Sequence, residues 1–446
     1  MNRDLTKGNI GKNMLLFSLP LMVGNLLQQL YNLVDTWVVG RFVGADALAA
    51  VGASYSLMVF LTSVYIGLCM GSGSAFSMFF GKRDEDSMKK SFFSSFVLIG
   101  AVSIIINVGV YLFMDPLISI LQIPESIRQM TEEYMSVIFA GMFFVFIYNY
   151  FANLLRSVGN SVVPLVFLAI SAVLNIVLDL LFVPVWEWGV FGAALATIIA
   201  QGVSAVGIAI CVYVKYPELR IEKKHMKLEI GIVKRVFNMS FFTSLQQSVM
   251  NFGILMIQGL VNSFGTSVMA AFAAAVKIDT FAYMPAQDFG NGFSTYIAQN
   301  YGAGKGERIK QGIKKAVISS GIFCVCISVI VCVFARPLMM IFIDPSESEI
   351  IDIGVVYLRI EGTFYIGIGM LFLLYGFYRG VSRPAMSLVL TVISLGSRVA
   401  IAYAFAGILG VNIIWAAVPI GWILADVAGI LYYRKYRRII LSDYKV

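Results

Sequence analysis

An aspartate, Asp35, stands in "NLVDTWVVGR" near the end of a run from Met14 to Val39 that holds no other charge. An ionised Asp at the centre of a membrane-inserted helix costs roughly 2.5–3.5 kcal/mol, so a carboxylate kept there needs a counter-charge or a task. A second acid, Asp179, lies in "LNIVLDLLFV" four residues after Asn175, a spacing that puts both on one helix face. Thr197 sits in the apolar run that follows. Carboxylate, amide and hydroxyl oxygens are ligands for a small hard cation such as Na⁺. Two carboxylates gathered in a low dielectric do not both carry charge comfortably, and they titrate as a unit. Asp35, Asn175, Asp179 and Thr197 therefore form a candidate pocket for either a proton or Na⁺.

The second half of the chain has its own polar set: Lys277 and Asp279 in "VKIDTFAYMP", then Asp288, Glu361, Arg398 and Asp426. Lys277 and Arg398 could be neutralised by acids nearby in the helix bundle. Ion-pair support and direct substrate or proton work both stay open for this set, and Glu361 has two destinations, a cleft or Arg359 at the rim.

The elements that must position these residues are membrane-spanning helices. The 446 residues are 59% hydrophobic and only 13% charged, where soluble domains carry about a quarter charged. Apolar runs long enough to cross a bilayer of roughly 30 Å fall near 14–40, 47–80, 91–114, 130–155, 163–185, 189–213, 236–262, 268–299, 312–335, 352–378, 384–408 and 411–433. An all-α integral membrane protein of twelve transmembrane helices is expected.

The net charge of +8 is placed for a membrane rather than a nucleic acid. Of the 33 Lys and Arg, 27 fall in the two tails and alternate loops, and three (Arg41, Arg128, Arg336) in the loops between. This positive-inside asymmetry predicts an inner (plasma) membrane protein with both termini cytoplasmic. No secretory signal peptide is evident, because the first apolar run is long and flows into further spans. In that orientation a rise of 1.5 Å per residue brings Asp35, Asp179 and Thr197 to the outer third of the membrane, with Asn175 one turn deeper. One pocket at one depth follows.

The sequence also excludes several chemistries. The single His, His225, lies in the basic stretch "IEKKHMK" and reads as a solvated loop residue, which rules out a His-based metal site. Five Cys fall inside apolar spans without CxxC spacing and read as packing. "GLCMGSGSAF" (67–76) has neither the Lys-Ser/Thr ending nor the strand of a phosphate loop; its small residues suit close helix approach. No nucleotide, nucleic acid or cofactor is expected beyond the coupling ion, nor any enzymatic activity, since no GxSxG or acid–nucleophile pairing appears.

Sliding the chain against itself gives a recurrent offset of 221, which matches Gly44 with Gly265, Pro116 with Pro337, Pro124 with Pro345 and Gly141 with Gly362. "DPLISILQIP" meets "RPLMMIFIDP", and after an insertion of two Arg156 meets Arg379. Two pseudo-symmetric six-helix lobes, 1–213 and 236–446, joined by a basic cytoplasmic linker at 214–235, are expected around a central cleft. No pore loop or filter sequence points to a channel. The many Phe (34), Tyr (21) and Met (21) suit broad apolar sites for organic cations.

At these residues the chain resembles the multidrug and toxic compound extrusion (MATE) family over about residues 10–440. The resemblance is carried by "LPLMVGNLLQQLYNLVDTWVVGRFVGADALAAVG", "LRSVGNSVVP", "LNIVLDLLFVPVWEWGVFGAALATIIAQ" and "IAQNYGAGKGER". It implies a two-lobed antiporter that expels organic cations in exchange for Na⁺ or H⁺. In the DinF-like branch, with its cation site in the first lobe, the site positions fall on Asp35, Asn175, Asp179 and Thr197. A branch with second-lobe acids has a Glu in span seven, where this chain has Gln246 and Gln247. Relatives in the wider superfamily flip lipid-linked precursors and need cations in the cleft. The expectation is a secondary active antiporter, a monomer among membrane lipids, that exports amphipathic small organic cations by rocking-bundle alternating access. A lipid-linked precursor flippase is the alternative.

Overall fold

The structure, a computed structural model, describes residues 4–120 and 123–442. Among these, the first half forms α1 (Ile10–Phe42), α2 (Ala45–Lys82), α3 (Glu85–Leu112), α4 (Met114–Ile120), α5 (Glu125–Ala140), α6 (Met142–Ser157), α7 (Val162–Phe182) and α8 (Gly189–Lys215). The second half forms α9 (Ile230–Asn262), α10 (Thr266–Gly302), α11 (Gly306–Val333), α12 (Ala335–Met339), α13 (Ser348–Thr363), α14 (Tyr365–Gly380), α15 (Pro384–Leu409) and α16 (Asn412–Ser442). No strand occurs among the described residues.

The second set of helices retraces the first. α3 starts at 85 and α11 at 306, and the short, proline-bearing α4 and α12 start at 114 and 335, so both pairs keep the offset of 221 seen in the sequence. After the insertion of two, α5 and α6 correspond to α13 and α14. Each of these pairs is one span broken at its middle, at Gly141 in the first and at Phe364 in the second, where the axis bends by 52°. Local signals place the ends: Asp84 Oδ1 accepts from the Ser87 amide at 3.0 Å to start α3, and Pro384 opens α15.

Ten helical spans among the described residues are long and apolar enough to cross a bilayer when α5 and α6 count together, and the bent α13–α14 pair makes an eleventh. The twelfth is α9. Its 33 residues are sufficient in length, but the stretch from Ser240 to Asn251 is crowded with Ser, Thr, Gln and Asn, which lowers its hydropathy. The chain is an all-helical, multi-pass membrane protein.

Two compact units emerge, and they do not follow chain order. One holds Val23–Phe80 and Asp84–Ser244; the other holds Asp4–Met22, Gly81–Arg83 and the chain from Leu245 onward. The first half of α1 thus packs with the second unit and the first half of α9 with the first. Glycine explains both placements. In the first unit, a Cβ on Gly67 or Gly71 of α2 would overlap the backbone of α9 at Ser244 or Met239, and Ser72 and Ser240 share a hydroxyl hydrogen bond of 2.8 Å at this approach. The glycines of "GLCMGSGSAF" are therefore packing residues. In the second unit, a Cβ on Gly292 of α10 would overlap Ser18 of α1.

The second unit also captures the N-terminal segment. Leu5 is fully buried; its amide donates to Gln299 Oε1 at 3.0 Å and its carbonyl accepts from Asn300 Nδ2 at 3.2 Å. Lys305 Nζ donates to the Thr6 carbonyl at 2.8 Å. The Arg308 guanidinium bonds the carbonyls of Leu5, Lys7 and Gly8 and the Asn300 side chain at 3.1–3.2 Å. The "IAQNYGAGKGER" motif is thus the receptor for residues 4–8. Replacing the planar fork with a point charge loses this convergence, so Arg308→Lys is expected to lower stability by on the order of 2 kcal/mol. Thermal unfolding in detergent, together with faster tryptic cleavage at Lys7, checks this; an unchanged melting temperature would show that the segment is bound by its apolar contacts alone.

The basic linker is folded, which corrects the reading of His225 as solvated. Two short 3-10 turns, Pro217–Leu219 and Lys223–His225, bring the imidazole into a buried position. His225 Nδ1 accepts from the Glu222 amide at 3.1 Å, which requires that nitrogen to be unprotonated. Burial, followed by the charge of Lys224, holds its pKa below the ordinary histidine value of 6.5. The unfolded linker therefore takes up the proton first as pH falls. The stabilisation is complete above about pH 6.5 and is lost below it. Protection of the Glu222 amide, corrected for intrinsic exchange, should fall about fivefold from pH 7.5 to 5.5, the equivalent of one hydrogen bond. Equal protection at both pH values would rule out this linkage.

Candidate functional site

The polar residues singled out in the first half converge within the first unit. α7 turns Asn175 and Asp179 to the same side, and both are buried, Asp179 completely. α8 supplies Thr197, whose hydroxyl donates back to the Ala193 carbonyl at 3.1 Å. With its proton committed, Thr197 Oγ1 accepts from Asn175 Nδ2 at 3.4 Å. That bond orients the amide so that Asn175 Oδ1 faces away from Thr197. α1 brings in Asp35, half-buried and within electrostatic reach of Asp179.

A fifth residue joins them. Tyr134 of α5 is buried and feels the charges of both Asp35 and Asp179. Its ring belongs to an apolar cluster with Val38, Val39, Ile138, Val183 and Ala193. Sequence reasoning missed Tyr134: it is one of 21 Tyr, and an aromatic in an apolar span carries no mark of its depth or neighbours.

The oxygens define what the pocket can do. Asp35 Oδ1, Asn175 Oδ1 and both carboxylate oxygens of Asp179 are buried and have no hydrogen-bond partner. Among the described residues, no Lys, Arg or His forms an ion pair with either acid. Ionised carboxylates only accept, and buried acceptors without partners are costly. The group fits a proton or a small cation.

The second unit holds a different arrangement. Asp279 on α10 and Glu361 on α13 are buried, and each feels the other and the Arg398 guanidinium of α15. Tyr357 and Tyr365 flank the same group. Glu361 therefore faces inward, away from the exposed Arg359. Arg398 lies within electrostatic reach of both acids but makes no ion pair with either among the described residues, and its Nε, Asp279 Oδ1 and Glu361 Oε1 have no hydrogen-bond partner. Lys277 is exposed, with its Nζ 6.0 Å from the ring centroid of Phe342, because a position two before Asp279 turns to the opposite side of the helix. Asp288 is buried on α10 nine residues beyond Asp279, about 13 Å along the axis, and stands apart from the cluster. Asp426 of α16 faces α14 beside Gly367.

The sequence matches the MatE family profile over residues 20–181 and 240–404. The chain belongs to the MatE family. These MatE segments contain Asp35, Asn175 and Asp179 in the first half and Asp279, Glu361 and Arg398 in the second. The MatE chain is accordingly a membrane transporter and not an enzyme. It is 31% identical to "Probable multidrug resistance protein YpnP" of Bacillus subtilis (strain 168), with 97% of both chains covered. It is 25% identical to "Multidrug export protein MepA" of Staphylococcus aureus (strain MSSA476), covering 82% of this chain and 81% of that one. Its fold is that of a MATE protein crystallised in complex with MaL6: TM-score 0.92 at 24% identity, with 99% and 98% of the two chains covered.

Proposed function

We propose that this protein is a secondary antiporter that exports amphipathic, cationic small molecules in exchange for Na⁺ or H⁺ entering the pocket of Asp35, Asn175, Asp179 and Thr197. The observation that carries the reading is the set of four buried oxygens with no partner, on residues that no protein cation neutralises. A mobile cation supplies what the fold leaves out. Its arrival neutralises the acids, and its release restores their charge, so the ion prefers one state of the carrier over the other. A ligand with equal affinity for both states shifts nothing. The relatives named for multidrug resistance and export support the substrate class. The charge asymmetry of the loops supports placement in the inner membrane with both termini cytoplasmic. The protein works as a monomer, by rocking-bundle alternating access.

The flippase alternative asks for unneutralised cations facing a diphosphate. Arg398 lies within electrostatic reach of two acids and Lys277 is exposed beside Phe342, so neither is shown as a free cation in a cleft, which weighs against that reading. The experiment is ethidium movement in proteoliposomes with Na⁺ and pH gradients imposed one at a time. Movement driven by one gradient supports the antiporter and names its ion. Folded protein that responds to neither gradient, yet moves a lipid-linked precursor, overturns it.

A further inference from the structure

We infer that the second unit carries a binding site for one acyl chain of an anionic phospholipid, in a slot between α10, α11, α14 and α16 beneath two basic helix ends. The slot, open along its mouth, has a volume of about 160 Å³. Phe293, Leu374 and Phe377 are buried and form its floor. Ile313, Val317, Ile430 and Tyr433 are half-buried and form its mouth. The lining is apolar throughout, and the Tyr433 ring stands edge-on to Phe377 at 5.3 Å between centroids as one wall. No charged side chain lines it. An aliphatic chain fits.

Charge fixes the class of lipid. On α11 the mouth residues Ile313 and Val317 continue at helical spacing to Lys310, and on α16 Ile430 and Tyr433 continue to Arg437. Both cations are exposed, and the Tyr433 hydroxyl lies within electrostatic reach of both. The two stripes therefore end, about one turn beyond the slot, in positive charges either side of a tyrosine tip. That is the order in which a phospholipid presents chain, interface and phosphate. Lys310 pairs with Glu307 at 3.1 Å, but both side chains are more than half exposed, and a pair of that kind is weak enough for a phosphate to displace.

The site is independent of ion coupling, so its test reads lipid retention rather than transport. The detergent-purified full chain is mixed with equal phosphatidylglycerol and phosphatidylcholine, and native mass spectrometry counts the bound lipids. One retained phosphatidylglycerol is expected, favoured over phosphatidylcholine by about fivefold per basic residue. Lys310→Gln with Arg437→Gln brings the ratio close to one. Ile313→Trp fills the slot and removes the adduct; should that variant not fold, Ile430→Phe serves at the same mouth. Equal retention of the two lipids by the wild type, or an unchanged adduct in a folded slot-filling variant, overturns the inference. So does stoichiometric displacement of the lipid by ethidium, which would make the slot part of the substrate path.

Discussion

Asp179→Asn is expected to reduce gradient-driven ethidium efflux in proteoliposomes at least tenfold, while the melting temperature of the protein stays at or above that of the wild type. The two halves of this result come from one fact. Both oxygens of Asp179 are buried without a protein partner, so no native hydrogen bond is lost when one becomes an amide. The side chain keeps its shape and the pocket loses a charge. An ion can bias the carrier only through the difference in its affinity for the two states; moving a population from 1:99 to 99:1 takes about 5.5 kcal/mol of such difference. A pocket with Asp35 as its one remaining acid offers less of it to a cation, because one of the two carboxylates that supply the electrostatic attraction is gone. Asp35→Asn is expected to act in the same direction, since the two acids sense each other's charge. Transport at the wild-type rate by a folded Asp179→Asn protein would remove the first-unit pocket from the coupling mechanism. Loss of transport together with a collapsed melting temperature would assign Asp179 to the scaffold instead.

What could be read from the sequence, and what could not, follows from the range of each interaction. The repeat was legible because prolines at a fixed offset mark backbone events that recur: Pro116 and Pro337 sit in the paired short helices α4 and α12. The match of Gly141 with Gly362 failed, since Gly141 lies at the break between α5 and α6 but Gly362 lies inside α13 and the second break is at Phe364. The gathering of Asp35, Asn175, Asp179 and Thr197 was legible because embedded polar residues are few, and their depths follow from span direction. Tyr134 was hidden among its many equivalents. The partner of Glu361 was hidden for another reason. Arg359 is nearer in sequence, but residues two apart on a helix do not face each other, and tertiary packing gives the inward side to Asp279 and Arg398. The placement of the first halves of α1 and α9 was not legible either. It depends on which remote backbone fills the space left by Gly67, Gly71 and Gly292, and small residues announce close approach without naming the partner. His225 misled by its setting: the three lysines of the surrounding "EKKHMK" stretch suggest water, yet the imidazole that closes a 3-10 turn there is buried.

The second unit gives the other large effect. Arg398→Met should destabilise the protein by about 3 kcal/mol, the cost of leaving a buried charge without its counter-charge, and Glu361→Gln placed on top of it should restore part of that loss. Asp279 and Glu361 are both buried, and Arg398 is the guanidinium within reach of the two. Without it, two carboxylates face each other in a low dielectric. Removing the charge of Glu361 in the same chain leaves one acid to accommodate, so the double variant lies above the single one, a coupling that additive surface effects do not produce. Denaturant unfolding in detergent measures both. Two additive losses would mean that Arg398 stabilises through its aliphatic stem and not through the acids. The contrast with the first unit is the physical point. There, two acids stand with no protein cation, and Asp179→Asn is expected to cost function and spare stability. Here a cation is built in, and its removal is expected to cost stability first. Arg398 stands within electrostatic reach of Asp279 and Glu361 and is expected to hold that cluster in the framework, whereas the first-unit acids, which have no such cation, are the proposed coupling site.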